Sequence, residues 1–459
     1  MTGAGLADQE NDVTTLHFAE AMLPQGWACD VRVTIADGVI ARVETGAAAQ
    51  AGDERHRVAL PGMPNLHSHA FQRGMAGLAE VAGPSDDSFW TWREVMYRFA
   101  ERVSPDDLAA IAAMAYVEML EGGFTRVGEF HYLHHAPDGA AYASRAAMSE
   151  GIAAAAGETG IGLTHLPVFY AHAGFGGLPL GARQKRFGHD LDGFATLLEG
   201  ARAACAALPD AVVGVAPHSL RAVTPEQLAA LETMAPGAPM HIHIAEQVRE
   251  VEDCVAWSGA RPVEWLLDHA AVDARWCLVH ATHMTAAETD RLAKTGAVAG
   301  LCPITEANLG DGIFPAVDFV AAGGVYGVGS DSNVLIDAGE ELRLLEYGQR
   351  LERRARNLLG RGGATGDALW RDAVAGGARA LGAASGIAAG HAADIVSLAA
   401  DHPAFVAREG AALADALVFA RGAIDRVWRR GAVVVQGGRH VARARVERRY
   451  AATLAALLA

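Results

Sequence analysis

The sequence predicts an α/β protein built on a (β/α)8 TIM-type barrel, with a small β-sandwich domain formed from both chain termini. Two observations indicate the barrel: eight short apolar runs follow one another from about residue 58, and helix-forming stretches separate them. A third observation concerns the two ends of the chain, where turns and not helices separate the β-like segments. We therefore expect residues 1–57 to form the N-terminal part of the β-domain, 58–384 the barrel, and 385–459 the C-terminal part with a terminal helix.

The eight apolar runs are short and often β-branched, which is typical of buried parallel strands. In chain order they are VALPGMPNL, FTRVGEF, IGLTHLPVFY, AVVGVAPHS, PMHIHIAE, WCLVHATH, AVAGLCPIT and GVYGVGSDSN. Eight strand-then-helix units over about 320 residues favour a closed barrel over an open sheet.

Several of the intervening helices have recognisable starts. Ser104 precedes Pro105 and two aspartates, which offers an N-cap, a proline in the first turn and carboxylates at the positive end of the helix dipole. The patterns Thr224-x-x-Gln227 and Thr285-x-x-Glu288 read as capping boxes. These signals predict helices after the runs they follow.

The two chain ends carry a different pattern. The segments VRVTIADGVIARV near the start and IDRVWRRGAVVVQGGRHV near the end are β-like, and ADG and QGG within them read as hairpin turns. We infer that both ends combine into one small β-domain beside the barrel.

Composition limits the class of protein. With 459 residues, half of them hydrophobic, the chain is globular, and its net charge of -16 argues against nucleic acid and anionic membrane surfaces as partners. The five cysteines are scattered without a C-x-x-C pair, which fits a reducing compartment. No export signal and no stretch of membrane-spanning length is visible, so we expect a cytoplasmic protein.

Polar residues gather where apolar runs end, and in a barrel this is the face that carries active sites. His67 and His69 end the first run, and positions i and i+2 of a strand point the same way, so both imidazoles can reach one point. Two core histidines bonded to backbone carbonyls are the alternative interpretation of this pair alone.

The later runs favour a metal site. In the fifth run His241 and His243 share a face and Glu246 follows, while His280 ends the sixth run and Asp331 ends the eighth. Imidazole and carboxylate ligands suit zinc, with iron(II) as the alternative. A second ion would call for a bridging carboxylate, often a carbamylated lysine, and neither lysine of the chain ends a strand. One divalent ion is therefore expected.

These motifs resemble the amidohydrolase superfamily, and GIAAGHAADIVSL resembles that superfamily's return strand into its small β-domain. Within it, PGMPNLHSHAFQRGMAGLAE, GEFHYLHH, APHSLRAV and HIHIAEQ resemble the formimidoylglutamate deiminase family. The resemblance spans nearly the whole chain. It implies metal-dependent hydrolysis of a linear amidine: N-formimino-L-glutamate would give N-formyl-L-glutamate and ammonia, a step of histidine degradation. Related enzymes commonly form homodimers, so a homodimer is expected.

The resemblance also implies roles for individual residues. The metal ligands would be His67, His69, His243 and Asp331. Asp331 and His280 would take a proton from the attacking water, and Glu246 would pass a proton to the departing nitrogen. His280 as a fifth ligand stays an alternative.

The implied substrate is a dicarboxylate, and arginine is the natural partner of a carboxylate because its fork donates two parallel hydrogen bonds. Arg221 follows the fourth run directly, and Arg93 is expected in an aromatic-rich loop after the first run that could form a lid. By resemblance Gln72, Tyr132 and His218 line the substrate.

Two other functions remain open at this point. A deaminase of an aromatic N-heterocycle, such as guanine, a pterin or an adenosine derivative, could use the same metal site, but its pocket would favour stacking over paired arginines. A barrel kept only as an assembly scaffold would be expected to have lost ligands, and here all four are present.

Overall fold

The computed structural model of this chain describes residues 13–83 and 87–459. The strands are β1 (Val13–Leu23), β2 (Gly26–Ala36), β3 (Val39–Glu44), β4 (Glu54–Pro61), β5 (Met63–Ser68), β6 (Phe124–His131), β7 (Gly162–Phe169), β8 (Val212–Val213), β9 (Ala216–Pro217), β10 (Met240–Ile244), β11 (Trp276–His280), β12 (Val298–Leu301), β13 (Val325–Val328), β14 (Ile395–Leu398), β15 (Ile424–Arg429), β16 (Ala432–Gln436) and β17 (Arg439–His440). The helices are α1 (Phe89–Ala100), α2 (Pro105–Glu121), α3 (Ala147–Thr159), α4 (Leu191–Cys205), α5 (Pro225–Met234), α6 (Val248–Ser258), α7 (Pro262–His269), α8 (Ala286–Ala293), α9 (Pro303–Leu309), α10 (Ala316–Ala321), α11 (Ala338–Arg353), α12 (Thr365–Ala380), α13 (Ala411–Phe419) and α14 (Arg443–Leu458).

Two parallel sheets occupy the middle of the chain. One has the order β5-β6-β7-β8, with β9 also paired to β7, and the other has the order β10-β11-β12-β13. Isolated parallel bridges connect their edges at Val215–Met240, Ser219–His243 and Ser68–Asp331. The predicted mixed α/β architecture, with parallel strands separated by helices, is confirmed.

The first apolar run forms two strands instead of the single strand expected. Its first half belongs to β4, which pairs with β1 and β14 of the terminal sheet, while its second half is β5 of the central sheet. The chain changes sheets at Gly62, where an added Cβ would lie 2.3 Å from Thr125 Cγ2. A glycine is needed there because the backbone passes so close to the neighbouring strand.

The fourth run is also interrupted. It forms only β8 and β9, and at Gly214 between them a Cβ would meet Leu166 Cδ2 and Pro239 O at 2.6 Å each. The run still delivers its last residues to the same end of the sheet as the other strands, because Ser219 bridges to His243 of β10.

The terminal strands form one hydrogen-bonded sheet of eight, in the order β17-β16-β15-β14-β4-β1-β2-β3. Both predicted hairpin turns lie in it: Asp37 and Gly38 (φ 53° and 79°) connect β2 to β3, and Gly437 and Gly438 (φ 61° and 69°) connect β16 to β17. The two termini thus combine, but the predicted sandwich is not confirmed, since all eight strands belong to a single sheet.

The predicted helix starts are present. Ser104 and Thr224 cap α2 and α5 with reciprocal capping boxes, and each of these helices has a proline in its first turn. Thr285 and Glu288 form a capping box for α8. Each side chain satisfies a backbone N–H that the first helical turn leaves free.

An ion network with two buried arginines connects the terminal sheet to the central strands. Arg429 of β15 donates to Asp210 Oδ1 (2.6 Å) and Asp394 Oδ1 (2.8 Å), and Arg126 of β6 donates to Asp210 Oδ2 (2.6 Å). All five cysteines are free thiols. Within residues 13–83 and 87–459, no helix has both the length and the apolar character needed to cross a membrane.

Candidate active site

The carboxyl ends of the parallel strands converge on one buried group of side chains. His67 and His69 lie at the end of β5, His243 in β10, His280 at the end of β11, and Asp331 three residues beyond β13. All five are buried. The structure therefore brings together residues that are up to 264 positions apart in the sequence.

Three imidazoles point the same ring nitrogen at one another. His67 Nε2 lies 3.2 Å from His69 Nε2 and 3.0 Å from His243 Nε2, and Asp331 Oδ1 lies 3.6 and 3.3 Å from the first two. Nitrogen lone pairs directed at a common point repel one another unless a cation lies between them. Three imidazole nitrogens with one carboxylate oxygen are the donor set that a divalent transition metal prefers.

The far nitrogens of two of these rings fix their orientation. His69 Nδ1 donates to Phe130 O (2.8 Å) and His243 Nδ1 to His218 O (3.2 Å). Because a carbonyl only accepts, the hydrogen must be on Nδ1, and the lone pair of each Nε2 faces the centre.

Burial keeps these rings neutral, which is the form that binds a metal. It lowers the pKa of His69 to about 3 and the pKa values of His67 and His243 well below the ordinary histidine value. Neighbouring histidines lower the last two further, since a second positive charge nearby would be repelled.

The backbone at Asp331 is held in an unusual conformation. Its φ is 45°, a left-handed value that costs energy for a residue with a Cβ. The N–H of Asp331 donates to His67 O and its carbonyl accepts from His69 N, both at 2.9 Å. At Gly329 a Cβ would meet His67 N and O at 2.7 Å, so glycine permits this close approach.

A network of buried amides and hydroxyls maintains that conformation. Asn65 accepts from the backbone N–H of Ser330 (3.0 Å) and donates to its hydroxyl (2.7 Å), and that hydroxyl donates to Asn333 (2.6 Å). Asn333 in turn donates to Ser68 Oγ and His69 O, both at 3.1 Å. The turn that carries Asp331 is thereby attached to the strand that carries His67 and His69.

His280 lies among three carboxylates. Its Nε2 is 3.7 Å from Asp331 Oδ2 and 3.9 Å from Glu246 Oε1, and its Nδ1 is 3.2 Å from Glu306 Oε1. Although burial disfavours the charged ring, Glu246, Glu306 and Asp331 raise the pKa of His280 to about 10. Burial raises the pKa of Asp331 to about 7. The surrounding carboxylates therefore favour a protonated His280 ring beside Asp331.

The cavity beside this centre contains the residues expected to bind substrate. Gln72, Arg93, Tyr132, His218 and Arg221 all line it, together with Glu246. Gln72 Nε2 donates to the Tyr132 hydroxyl (2.9 Å), and Gln72 Oε1 is buried without a hydrogen-bond partner in the described part of the chain.

Arg93 lies in a helix, and the expectation of a loop is wrong. It belongs to α1, whose start is capped by Ser88, and its guanidinium lies over the rings of Trp90 (4.5 Å) and Tyr97 (5.5 Å). The aromatic residues suggest a loop, but they belong to this helix, whose residues Met96 and Tyr97 are buried and line the cavity together with Arg93.

The second arginine is charged despite its burial. Burial disfavours the charge of Arg221, but Glu250 and Glu246 nearby raise its pKa. Arg93 Nε and Arg221 Nε are both buried without a hydrogen-bond partner among residues 13–83 and 87–459. Two such guanidinium groups in one cavity suit an anionic ligand.

Sequence reasoning missed several residues here. Glu306 contacts His280 and lies just past the seventh apolar run, so the rule that polar residues follow strand ends could have found it. Tyr97 and Tyr170 line the cavity but read as ordinary core aromatics. His241 shares a face with His243, yet its Nε2 bonds to Ala380 O (2.8 Å) below the site.

The parallel strands with helices between them and the His/Asp centre at their carboxyl ends define a metal-dependent hydrolase class. The family model described as "Amidohydrolase family" matches residues 58–434, and the chain belongs to this family.

Similarity to one particular enzyme extends over nearly the whole chain. The model "Formimidoylglutamate deiminase HutF, N-terminal domain" matches residues 13–57. The chain is 52% identical over 451 residues to the formimidoylglutamate deiminase of Pseudomonas aeruginosa, covering 96% of this chain and 99% of that protein.

Solved structures give the same fold. A crystal structure of an amidohydrolase from Brucella melitensis has a TM-score of 0.95 at 56% identity and covers 97% of this chain and 100% of its own. An adenosine deaminase from Xanthomonas campestris, solved with bound zinc, has a TM-score of 0.80 at 21% identity, covers 97% of this chain and 98% of its own, and shares the fold.

Proposed function

We propose that this chain is a metal-dependent hydrolase that deiminates N-formimino-L-glutamate to N-formyl-L-glutamate and ammonia. The observation that carries the proposal is one cavity that combines a His/Asp centre with two arginines, in a chain 52% identical to a formimidoylglutamate deiminase. The arginines suit the two carboxylates of this substrate, and the carboxylate of Glu246 suits its amidinium-like end.

One divalent cation fits the donor set of His67, His69, His243 and Asp331. We propose zinc for it, with iron(II) as the alternative. Such an ion, when bound, lowers the pKa of water and so supplies the nucleophile for the formimino carbon.

The protein's own residues then handle the protons. Asp331 Oδ2, with His280 Nε2 beside it at 3.7 Å, accepts the proton that the attacking water loses. Glu246 binds the amidinium nitrogen as a carboxylate, takes up the second proton of the water oxygen as the formyl C=O bond forms, and passes it to that nitrogen, so that the carbon–nitrogen bond breaks with neutral ammonia as the leaving group. The oxygen of water ends in the formyl group.

The other cavity residues would position the substrate. Arg93 and Arg221 would each bind a carboxylate, and Gln72, Tyr132 and His218 would line the chain between the two ends. The alternative, a deaminase of an aromatic heterocycle, offers no use for two arginines with unpaired donors in the cavity.

Ammonia release tests the proposal directly. Purified protein loaded with zinc should release ammonia from N-formimino-L-glutamate and not from guanine, a pterin or adenosine, with one ion per chain by elemental analysis. Release from a heterocycle but not from the formimino compound would overturn the assignment.

We further infer that the two central sheets are two arcs of one (β/α)8 barrel. The bridges Val215–Met240 and Ser219–His243 on one side and Ser68–Asp331 on the other support closure. We propose that the domain boundaries of the chain lie between residues 57 and 58 and between residues 384 and 385. We also propose a cytoplasmic location and a homodimer.

A further inference from the structure

Tyr170 directly follows β7 and has no role in the function argued so far. It is buried, it lines the same cavity as Arg93 and Arg221, and its ring centroid lies 4.7 Å from that of His218. Its hydroxyl accepts a hydrogen bond from Gln184 Nε2 at 2.9 Å.

The orientation of Gln184 decides where the Tyr170 hydrogen points. Gln184 Oε1 accepts from the N–H of Gly181 (2.9 Å), so the amide nitrogen, not its oxygen, faces the tyrosine. A nitrogen donor turns the phenol oxygen into the acceptor of that bond. Among residues 13–83 and 87–459, no protein atom accepts the phenol hydrogen, which leaves it free to point into the cavity.

The charge around this hydroxyl suits an anion. Burial raises the pKa of Tyr170 to about 12, although Arg221 and Arg93 act in the opposite direction. The phenol is therefore neutral and a donor at ordinary pH, beside two guanidinium groups that also donate. A carboxylate oxygen is the acceptor that would satisfy all three.

The segment that contains Gln184 is fixed to the helix that contains Arg93. Arg183 donates to Glu94 of α1 at 2.6 Å, and Arg186 donates to the carbonyl of Val103 just after α1 at 2.8 Å. The segment whose Gln184 bonds to the Tyr170 hydroxyl is therefore attached to the helix that carries Arg93.

We propose that Tyr170 is a substrate-binding residue that donates a hydrogen bond to a substrate carboxylate, and that Gln184 positions its hydroxyl for this. The inference rests on the proposed deimination of N-formimino-L-glutamate. It adds a neutral donor, selective for carboxylates, to the two arginines.

The test measures KM and kcat of the zinc-loaded enzyme with N-formimino-L-glutamate. Tyr170→Phe keeps the ring and removes only the hydroxyl, so KM should rise about tenfold while kcat changes little, as expected for loss of a hydrogen bond to a charged group. The inhibition constant of glutarate, which has two carboxylates and no formimino group, should rise by the same factor.

Gln184→Met should raise KM less, and the double variant Tyr170→Phe/Gln184→Met should match Tyr170→Phe, because Gln184 acts through the hydroxyl. Tyr142→Phe is the control: it removes a nearby hydroxyl that contacts Arg186 (3.4 Å) and does not line the cavity, so it should leave KM unchanged.

An unchanged KM in Tyr170→Phe would overturn the inference while wild-type turnover still supports the proposed function. Unchanged glutarate inhibition with a raised KM would also overturn it, since the hydroxyl would then contact the formimino end.

Discussion

At the scale of single residues, Glu246 is the position at which proton transfer can be tested separately from metal binding. Its carboxylate lies 3.9 Å from His280 Nε2 and lines the cavity, while its backbone N–H donates to Glu250 Oε2 at 3.1 Å. A group in this place can reach both the ring and a substrate nitrogen.

Glu246→Gln keeps the shape of the side chain and replaces a carboxylate, which can take up and release a proton, with an amide that cannot. We expect kcat to fall by about a hundred- to ten-thousand-fold, the usual contribution of a general acid or base, with metal content unchanged. Steady-state ammonia release and elemental analysis measure both. A wild-type kcat would contradict the role.

Arg93 and Arg221 are predicted to bind the two carboxylates, so Arg93→Met and Arg221→Met should each raise KM by about ten- to a hundredfold. Metal content should stay the same. Arg249→Met is a matched control, because Arg249 lies over the same Trp90 ring (4.8 Å) but does not line the cavity. Normal kinetics in both test variants would rule out the dicarboxylate assignment.

The sequence predicts which polar residues meet at the site, because a parallel sheet places the ends of its strands together whatever lies between them. His67, His69, His243, His280 and Asp331 all follow this rule. It cannot predict residues that act through a turn: the Asn65–Ser330–Asn333 network depends on the left-handed backbone at Asp331, which no local pattern signals.

At the scale of elements, α1 is fastened at its C-terminal end by Arg186. This buried guanidinium donates to His135 O and Val103 O, both at 2.8 Å, and to Ala100 O. Three carbonyls from two segments share one cation.

Arg186→Met leaves these buried carbonyls without a donor, which should lower the free energy of unfolding by ~3 kcal/mol. It should also raise KM, since α1 carries Arg93. Urea unfolding and substrate kinetics measure the two effects. Arg183→Met is the comparison: its pairs with Glu94 and Glu101 are exposed, so we expect under about 1 kcal/mol. Equal changes in the free energy of unfolding and in KM for the two variants would contradict the role of Arg186 in fastening α1.

Element boundaries were harder to predict than element types. The run VALPGMPNL reads as one strand because apolar periodicity does not reveal a change of sheet. The change appears only in the strand pairing, in which β4 pairs with β14 and β5 pairs with β6. The three aromatic residues before Arg93 suggest a loop, because they hide the helical periodicity of a helix whose apolar face is short. Capping boxes, in contrast, are local chemistry, and those at Thr224 and Thr285 were readable.

At the scale of the whole molecule, the candidate metal centre connects strands from both central sheets. A cation bound to His67, His69, His243 and Asp331 would bind the folded chain and not the unfolded one, so it should stabilise the fold. Removing it with a chelator should abolish ammonia release and lower Tm, and adding zinc should restore both. An unchanged Tm and activity after chelation, verified by elemental analysis, would contradict a metal centre.

The Arg429 network should matter for global stability. Its side chain is only 4% exposed, and Arg429→Met would leave Asp394 without its buried partner. We expect a loss of ~3 kcal/mol in the free energy of unfolding, measured with urea. Arg439→Met, which removes an exposed pair with Glu447, should cost under about 1 kcal/mol. If Arg429→Met were as stable as that control, the network would have no stabilising role.

The terminal sheet can be completed only after strands from both ends of the chain have been synthesised. Strand β4 pairs with β1, made early, and with β14, made near the end. Until residues 395–398 leave the ribosome, β4 keeps a free edge that can pair with another nascent chain. A message truncated before that point would therefore yield a product prone to aggregation, however complete its catalytic residues are.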